Sequence, residues 1–217
     1  MSVFLKKILV LLPVCILGFF YLYDHHKTYE QVKSRRLLFL ALTLAFLYGW
    51  VLLEVWMRKQ DSFGQIALQS SFYVYIFMVL TLTGYFILFR EVSTHDWWEK
   101  MMKRIERRDH VNLKLFVMFK IYRLSSTQIV GNFIMLIPLG IYLPLLYKKL
   151  SGFFKALTVC FLVSLTIEAL QLITRYRSAD VDDVLLNTLG GCTGFIFYKG
   201  IEAAFKNVTK KPRQAMA

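Results

Sequence analysis

The feature that most constrains the fold is a set of six long apolar runs separated by polar segments. Each run is about as long as a bilayer crossing requires, since a spanning helix needs roughly 20 residues. Backbone groups inside a bilayer must be satisfied within the span, which favours helices, and the alternation typical of a membrane barrel is absent from this sequence. The runs are 8–23, 37–57, 71–89, 126–147, 153–173 and 184–201. We therefore predict an all-α, polytopic transmembrane bundle of six spans, with five as the alternative.

The composition and charge indicate which partners such a chain has. Hydrophobic residues make up 57% of the 217 residues, and the mean hydropathy of +0.49 is too high for an ordinary soluble domain. In a membrane protein, a net charge of +13 indicates contact with anionic lipid more than with nucleic acid. The cysteines lie inside apolar runs and form neither a disulfide framework nor metal pairs: Cys15, Cys160 and Cys192. We predict membrane lipids as partners, with no nucleic acid and no cofactor.

The chain is predicted to have three regions. Residues 1–111 form an N-terminal three-span region, residues 112–201 a second membrane unit, and residues 202–217 a basic tail. An interfacial amphipathic helix is predicted at about 97–108, because its apolar side chains recur at helical spacing and its cations occupy the other face. The apolar residues are Trp98, Met101, Met102 and Ile105, and the cations are Lys100, Lys103, Arg104 and Arg107.

Orientation in the membrane is predicted from the distribution of Lys and Arg. The basic pairs beside the first, second and fourth runs, and the basic tail, predict a cytoplasmic N-terminus and an external 174–183 loop. The segment 90–123 opposes this orientation, since it carries nine Lys and Arg residues. Lys6 and Lys7 also precede a run that resembles a signal peptide, but no A-x-A cleavage site follows, so we predict a retained first helix.

Polar residues recur at helical spacing around the last hairpin. Glu168 and Gln171 share one helix face, and Asp180, Asp183 and Asn187 share a face of the next helix. A charge near a bilayer centre costs roughly 2.5–3.5 kcal/mol or more, so such residues indicate a partner or a function. The predicted functional or ligand-binding cluster is Glu168, Gln171, Arg175, Arg177, Asp180, Asp183, Asn187 and Asn132. It is either an internally neutralised network or a socket for an anionic, hydrogen-bonding ligand.

Other residues around the hairpin have more ordinary interpretations. Asp182 is explained as an acidic residue in the first turn of a helix, with Ser178 as the N-cap. Carboxylates also bind Mg²⁺ or Ca²⁺, but no motif has diagnostic spacing, so no metal is predicted. Pro138 and Gly140 interrupt the fourth run, and small residues allow close helix packing. The predicted packing residues are Pro138, Gly140, Gly190, Gly191 and Gly194.

The sequence resembles the VanZ-like family of bacterial integral membrane proteins. The resemblance lies in NFIMLIPLGIYLPLL (132–146), SLTIEALQLI (164–173) and SADVDDVLLNTLGG (178–191), and it covers about 110–200. HVNLKLF (110–116) looks like a degraded form of the family's N-L-x-P-F segment, which puts its role in doubt. The founding member is associated with low-level resistance to teicoplanin, a glycopeptide antibiotic. The resemblance implies that Glu168, Gln171, Asp180, Asp183 and Asn187 are the matching polar positions.

Three functional hypotheses follow. The first is a cell-envelope protein that confers or modulates resistance to teicoplanin-type glycopeptides or lipoglycopeptides by binding the antibiotic or a lipid-linked precursor at the acidic hairpin. The second is an intramembrane enzyme acting on a lipid headgroup, with a carboxylate as general base and Arg175 or Arg177 holding phosphate. The third is a small transporter or channel. No nucleophile is evident, so no catalytic residue is assigned, and enzymatic activity and oligomeric state stay open.

Overall fold

The computed structural model describes residues 9–24, 41–47, 49–50, 53, 63–85, 98–99, 102–103, 106, 111–173 and 179–214. The chain divides into two compact units, one formed by residues 1–103 with 173–175 and the other by residues 104–172 with 176–217.

The first unit packs helices around an apolar core. A 3₁₀ turn at Leu9–Leu11 leads into α1 (Leu12–Asp24), residues 41–47 are helical, and α2 spans Phe63–Leu82. The buried core residues are Val10, Leu11, Val14, Leu47, Tyr73 and Phe77. Helix α2 begins earlier than the predicted run 71–89. Ser71, the first residue of the predicted run, donates its hydroxyl to the Leu68 carbonyl in the added part of the helix (2.8 Å).

The described part of the second unit is mostly helical. Its elements are β1 (Val111–Asn112), α3 (Met118–Ile121), α4 (Thr127–Met135), α5 (Ile137–Leu146), a 3₁₀ turn (Lys148–Leu150), α6 (Phe153–Ile173), β2 (Ala179–Asp180) and α7 (Val181–Gln214). The two strands are two residues long and pair in parallel, Val111 with Ala179 and Asn112 with Asp180. The all-α prediction is confirmed, and this short pairing ties the start of the unit to its last hairpin.

Helices α4 and α5 follow one another with a break at Leu136. The Ser126 hydroxyl caps α4 by accepting a hydrogen bond from the Ile129 N–H. Leu136 has φ −99° and ψ 3°, which ends α4 and starts α5. Pro138 lies in the first turn of α5, where the missing N–H has no intrahelical partner to lose. Gly140 lies within α5 and does not interrupt it.

Contacts along α7 give the directions of its neighbours. Along α6, Phe153 stacks edge-on against Phe195, and the Ser164 hydroxyl donates to the Val184 carbonyl (3.4 Å), so α6 and α7 are antiparallel. Along α4 and α5, the backbone of Phe133 lies against Gly190 and that of Ile137 against Gly194, so these helices run parallel to α7. The start of α4, the end of α6 and the start of α7 therefore meet at one end of the unit.

Three described helical segments are long and apolar enough to cross a membrane: Gly64–Leu82, Thr127–Leu146 and Phe153–Leu172. The second of these combines α4 and α5. Helix α7 covers the predicted span 184–201 but is not among the three, because Asn187, threonines and glycines replace larger apolar residues there. The predicted run 37–57 lies largely outside the described residues.

Two predicted peripheral features are described in part. Within the predicted interfacial helix, residues 98–99, 102–103 and 106 are helical, and exposed Lys103 and Glu99 form an ion pair (2.5 Å). The other residues of 97–108 lie outside the described part of the chain, and its place in the headgroup layer stays a prediction. Helix α7 continues to Gln214, so most of the predicted tail 202–217 extends this helix.

Candidate ligand-binding site

Asp180 links three elements where the helix ends meet. It precedes α7, and its Oδ1 accepts a hydrogen bond from the Asp182 N–H (2.9 Å), so Asp180 is the N-cap of this helix. Its Oδ2 accepts a hydrogen bond from Asn112 Nδ2 (2.9 Å), and its own N–H donates to Glu168 Oε2 (3.0 Å). The side chain that caps α7 is therefore Asp180, and it also joins β1 and α6 to that helix.

Asp182 is the buried carboxylate whose contacts sequence reasoning missed. Its side chain is fully buried, and its two oxygens accept hydrogen bonds from the backbone N–H groups of Phe116 (2.7 Å) and Met118 (2.9 Å). Phe116 has a φ of 66°, a left-handed conformation uncommon for a bulky residue, and it is held in that bend by Asp182. Its interpretation as an ordinary first-turn acid was incomplete, because spacing along α7 carries no information about a distant loop.

The loop that Asp182 holds packs over this end of the unit. We call residues 111–124 the cap. Asn112 fixes its start through Asp180, and Asn112 Oδ1 also accepts a hydrogen bond from the Lys114 N–H (3.2 Å). Met118 is buried with Ile129 of α4 and Leu186 of α7. Residues 111–116 of the HVNLKLF segment, whose role was in doubt because it lacks the expected proline, thus pack directly on the acidic hairpin. This segment was the sequence signal for the partner of Asp182.

Asp183 and Glu168 are the carboxylates that the sequence placed in the cluster beside Asp180. Asp183 lies one residue beyond Asp182, and its Oδ1 accepts a short hydrogen bond from the amide Nδ2 of Asn132 on α4. Glu168 is buried on α6 and accepts the Asp180 N–H, and Gln171 is buried one turn further along the same helix. These acids therefore bind N–H donors of neighbouring elements, and such charge-assisted hydrogen bonds are stronger than neutral ones.

Asn187 lies one turn deeper along α7 and differs from the other polar residues. It is fully buried, and in the described part of the chain neither its Nδ2 nor its Oδ1 has a hydrogen-bond partner. A buried polar group without a partner costs about 1–3 kcal/mol, and such groups are rare in native structures. The neighbouring Ser164 hydroxyl is directed to the Val184 carbonyl. The Asn187 amide, beneath the acidic residues, therefore has no protein hydrogen-bond partner among the described residues.

Below Asn187, glycines allow close backbone contacts between α7 and the helices α4 and α5. A methyl group added at Gly190 would overlap the Phe133 carbonyl, one at Gly194 the Ile137 carbonyl, and one at Gly140 the Gly191 carbonyl. The absent side chains let the backbones of α4 and α5 lie directly against α7. This contact fixes the distance between Asn132 on α4 and Asp183 on α7.

The structure brings together most of the predicted cluster and adds two residues to it. Asn132, Glu168, Asp180 and Asp183 lie in one hydrogen-bonded end, with Asn187 beneath them and Gln171 beside Glu168 on α6. Asn112 and Asp182 join them. The predicted cations Arg175 and Arg177 lie outside the described residues. In the described ranges no three His, Cys, Asp or Glu residues are placed to hold a metal ion.

The long apolar helices and this buried polar end define a helical membrane protein with a candidate polar site at one end of its second unit. The sequence model of the VanZ/LLP1 family matches residues 72–202, more than half of the chain, so the chain belongs to the VanZ/LLP1 family. The resemblance noted in the sequence is confirmed, but the match begins at residue 72, within α2, and not near residue 110.

A curated relative and the solved structures complete the comparison. The chain is 33% identical over 86 residues to Protein VanZ of Enterococcus faecium, an alignment that covers 40% of this chain and 52% of the relative. The match thus spans about half the length of that relative. No solved structure matches the chain.

Proposed function

We propose that this protein acts at the bacterial cell envelope, as a multi-pass protein of the cytoplasmic membrane that confers or modulates resistance to teicoplanin-type antibiotics. The ligand is the antibiotic or a lipid-linked cell-wall precursor, and it binds at the polar end of the second unit. Membership of the VanZ/LLP1 family supports this setting, because the resemblance implies a role in teicoplanin resistance.

The observation that carries the proposal is the unpartnered amide of Asn187 beneath Asp183. A buried polar group without a partner lowers stability. Its presence beside the buried, hydrogen-bonded carboxylates of Glu168 and Asp182 favours a binding role over a structural one. The amide offers donors and an acceptor together, which suits the peptide and hydroxyl groups of a glycopeptide or of a peptide-bearing precursor. Because the cap covers the site, the ligand enters when the cap moves or approaches beside it.

Binding of the antibiotic requires the site to face the outside of the cell. Lys148 and Lys149 lie at the opposite end of the unit, and most of the basic tail forms the C-terminal part of α7, which extends beyond that same end, so both support this orientation. The basic residues of segment 90–123 oppose it.

Removing one charge from the site is expected to abolish protection. Asp183→Asn and Glu168→Gln keep the side-chain shape but remove the carboxylate that binds N–H donors. Expressed in a susceptible Gram-positive host, wild type is expected to raise the inhibitory concentration of teicoplanin, and both variants to return it to the empty-vector value at equal membrane abundance. Glu202→Gln, the same change on α7 outside the site, is the matched control and is expected to protect. Full protection by both site variants would reject this site, and no protection by wild type would reject the ligand.

Removing the Asn187 amide is expected to separate stability from function. Truncating a buried apolar side chain such as Leu186 to alanine costs about 2–5 kcal/mol. Asn187→Ala instead removes an unsatisfied group that destabilises the wild-type protein by about 1–3 kcal/mol. The thermal midpoint of this variant in detergent is therefore expected to equal or exceed that of wild type, while protection is lost. Destabilisation equal to that of Leu186→Ala would mean that the amide is satisfied within the protein.

A further inference from the structure

The outer face of the cap is unusually apolar for a loop. Six of its large apolar side chains are exposed, and Leu113 and Leu124 have the largest exposed fractions, 73% and 72%. The others are Leu115, Phe116, Ile121 and Tyr122. Contiguous exposed apolar surface of this kind marks an interaction site or a membrane contact.

The cap cannot bury these side chains by folding back onto the unit. Its inner side is already occupied, since Asp182 holds the backbone N–H groups of Phe116 and Met118, and the Met118 side chain fills the space against Ile129. Asn112 fixes the other end of the loop through Asp180. The apolar side chains therefore stay directed outward as long as these contacts hold.

Three exposed cations lie among the apolar side chains. Lys114, Lys120 and Arg123 have no acidic partner among the residues that the structure describes. By length and composition, Thr127–Leu146 and Phe153–Leu172 can each cross a membrane; the first begins directly after the cap, and the second ends at the same end of the unit. Apolar side chains with Lys and Arg next to such spans have the composition of segments that lie in the headgroup layer.

We propose that the outer face of the cap inserts into the headgroup layer and that Lys114, Lys120 and Arg123 bind the phosphate groups of anionic phospholipids there. The proposal requires only that the second unit is embedded in a membrane, and it stands independently of the teicoplanin proposal. A lipid surface fits better than a soluble partner, because the apolar and cationic side chains occur together at the boundary of a span. The cap then joins the lipid surface to the acidic hairpin through Asp182.

A spin label on the cap tests this insertion in the full-length protein. The native cysteines are replaced by alanine, Leu124→Cys is labelled with a nitroxide, and the protein is placed in nanodiscs of phosphatidylcholine with phosphatidylglycerol. The measured quantity is the ratio of collisions with oxygen, which concentrates in the bilayer, to collisions with a water-soluble nickel chelate. This ratio is expected to be several-fold higher at position 124 than for a label at exposed Lys149. Equal ratios at the two positions would overturn the insertion and favour a soluble partner for the cap.

The lipid charge requirement is tested with two matched triple variants. Replacing Lys114, Lys120 and Arg123 with glutamine is expected to lower the oxygen-to-nickel ratio at position 124 to that measured in discs of phosphatidylcholine alone. The same change at Lys148, Lys149 and Lys155, three exposed lysines at the opposite end of the unit, is expected to leave the ratio unchanged. Both sets of side chains are exposed, so a single size-exclusion peak is expected for each variant. An unchanged ratio in the cap variant, or the same ratio with and without phosphatidylglycerol, would overturn the phosphate contact.

Discussion

Gly190→Ala is expected to destabilise the second unit by about 3 kcal/mol or more, whereas Gly200→Ala on the same helix is expected to leave it intact. The methyl group at Gly190 would overlap the backbone carbonyl of Phe133, while a methyl group at Gly200 has no atom within 4 Å. Overpacking a core costs about 1–3 kcal/mol when side chains can adjust, and here the neighbour is backbone, so the whole of α4 must move. We expect a loss at or above the upper end of that range.

The control variant is expected to change stability in the opposite direction. Alanine is favoured over glycine inside a helix by about 1 kcal/mol, so Gly200→Ala is expected to match or exceed wild type in stability. Yield of monodisperse protein in mild detergent and its thermal midpoint measure both variants. A Gly190→Ala protein that purifies with the wild-type midpoint would show that α4 and α7 do not lie in backbone contact in the membrane protein.

The lengths of the apolar runs predicted the helices of this fold, because a bilayer leaves the backbone few alternatives. The apolar runs 126–147 and 153–173 coincide closely with α4–α5 and α6, since lipid selects apolar side chains all around a helix. The earlier start of α2 was missed because its first turns carry Gln65 and Gln69, polar side chains that a search for apolar runs excludes.

The polar end was predicted in part, and the missing part has a physical reason. Helical spacing placed Asp180, Asp183 and Asn187 on one face, which is local information. The bonds from Asp182 to the N–H groups of Phe116 and Met118 join residues far apart in sequence, and they depend on a backbone bend that no spacing encodes. The N-cap position likewise depends on the residue at which the hairpin backbone becomes helical, which is Asp180.

Asp182→Asn is expected to release the cap and to destabilise the second unit by about 3 kcal/mol. The carboxylate presents an acceptor to each of two backbone N–H groups, whereas an amide presents one acceptor and one N–H₂ donor. One backbone N–H then faces another donor inside a buried site. The substitution therefore removes a charge-assisted hydrogen bond that contributes about 1.5–3 kcal/mol, and it adds the cost of an unsatisfied group. Without this anchor, the left-handed conformation of Phe116 has less to hold it.

The comparison with the neighbouring Asp183 separates holding the cap from binding a ligand. Asp183→Asn keeps an acceptor for the Asn132 amide, so its thermal midpoint is expected to stay near wild type while protection against teicoplanin is lost. Asp182→Asn is expected to lower the midpoint and to speed amide hydrogen exchange at residues 116–118. If hydrogen exchange in the cap were unchanged in Asp182→Asn, the buried carboxylate would not be its anchor. The same substitution at two adjacent aspartates would thus be detected by different assays, stability and hydrogen exchange for Asp182 and teicoplanin protection for Asp183. The reason is that Asp182 binds the backbone of the cap, whereas Asp183 binds a side chain within the site.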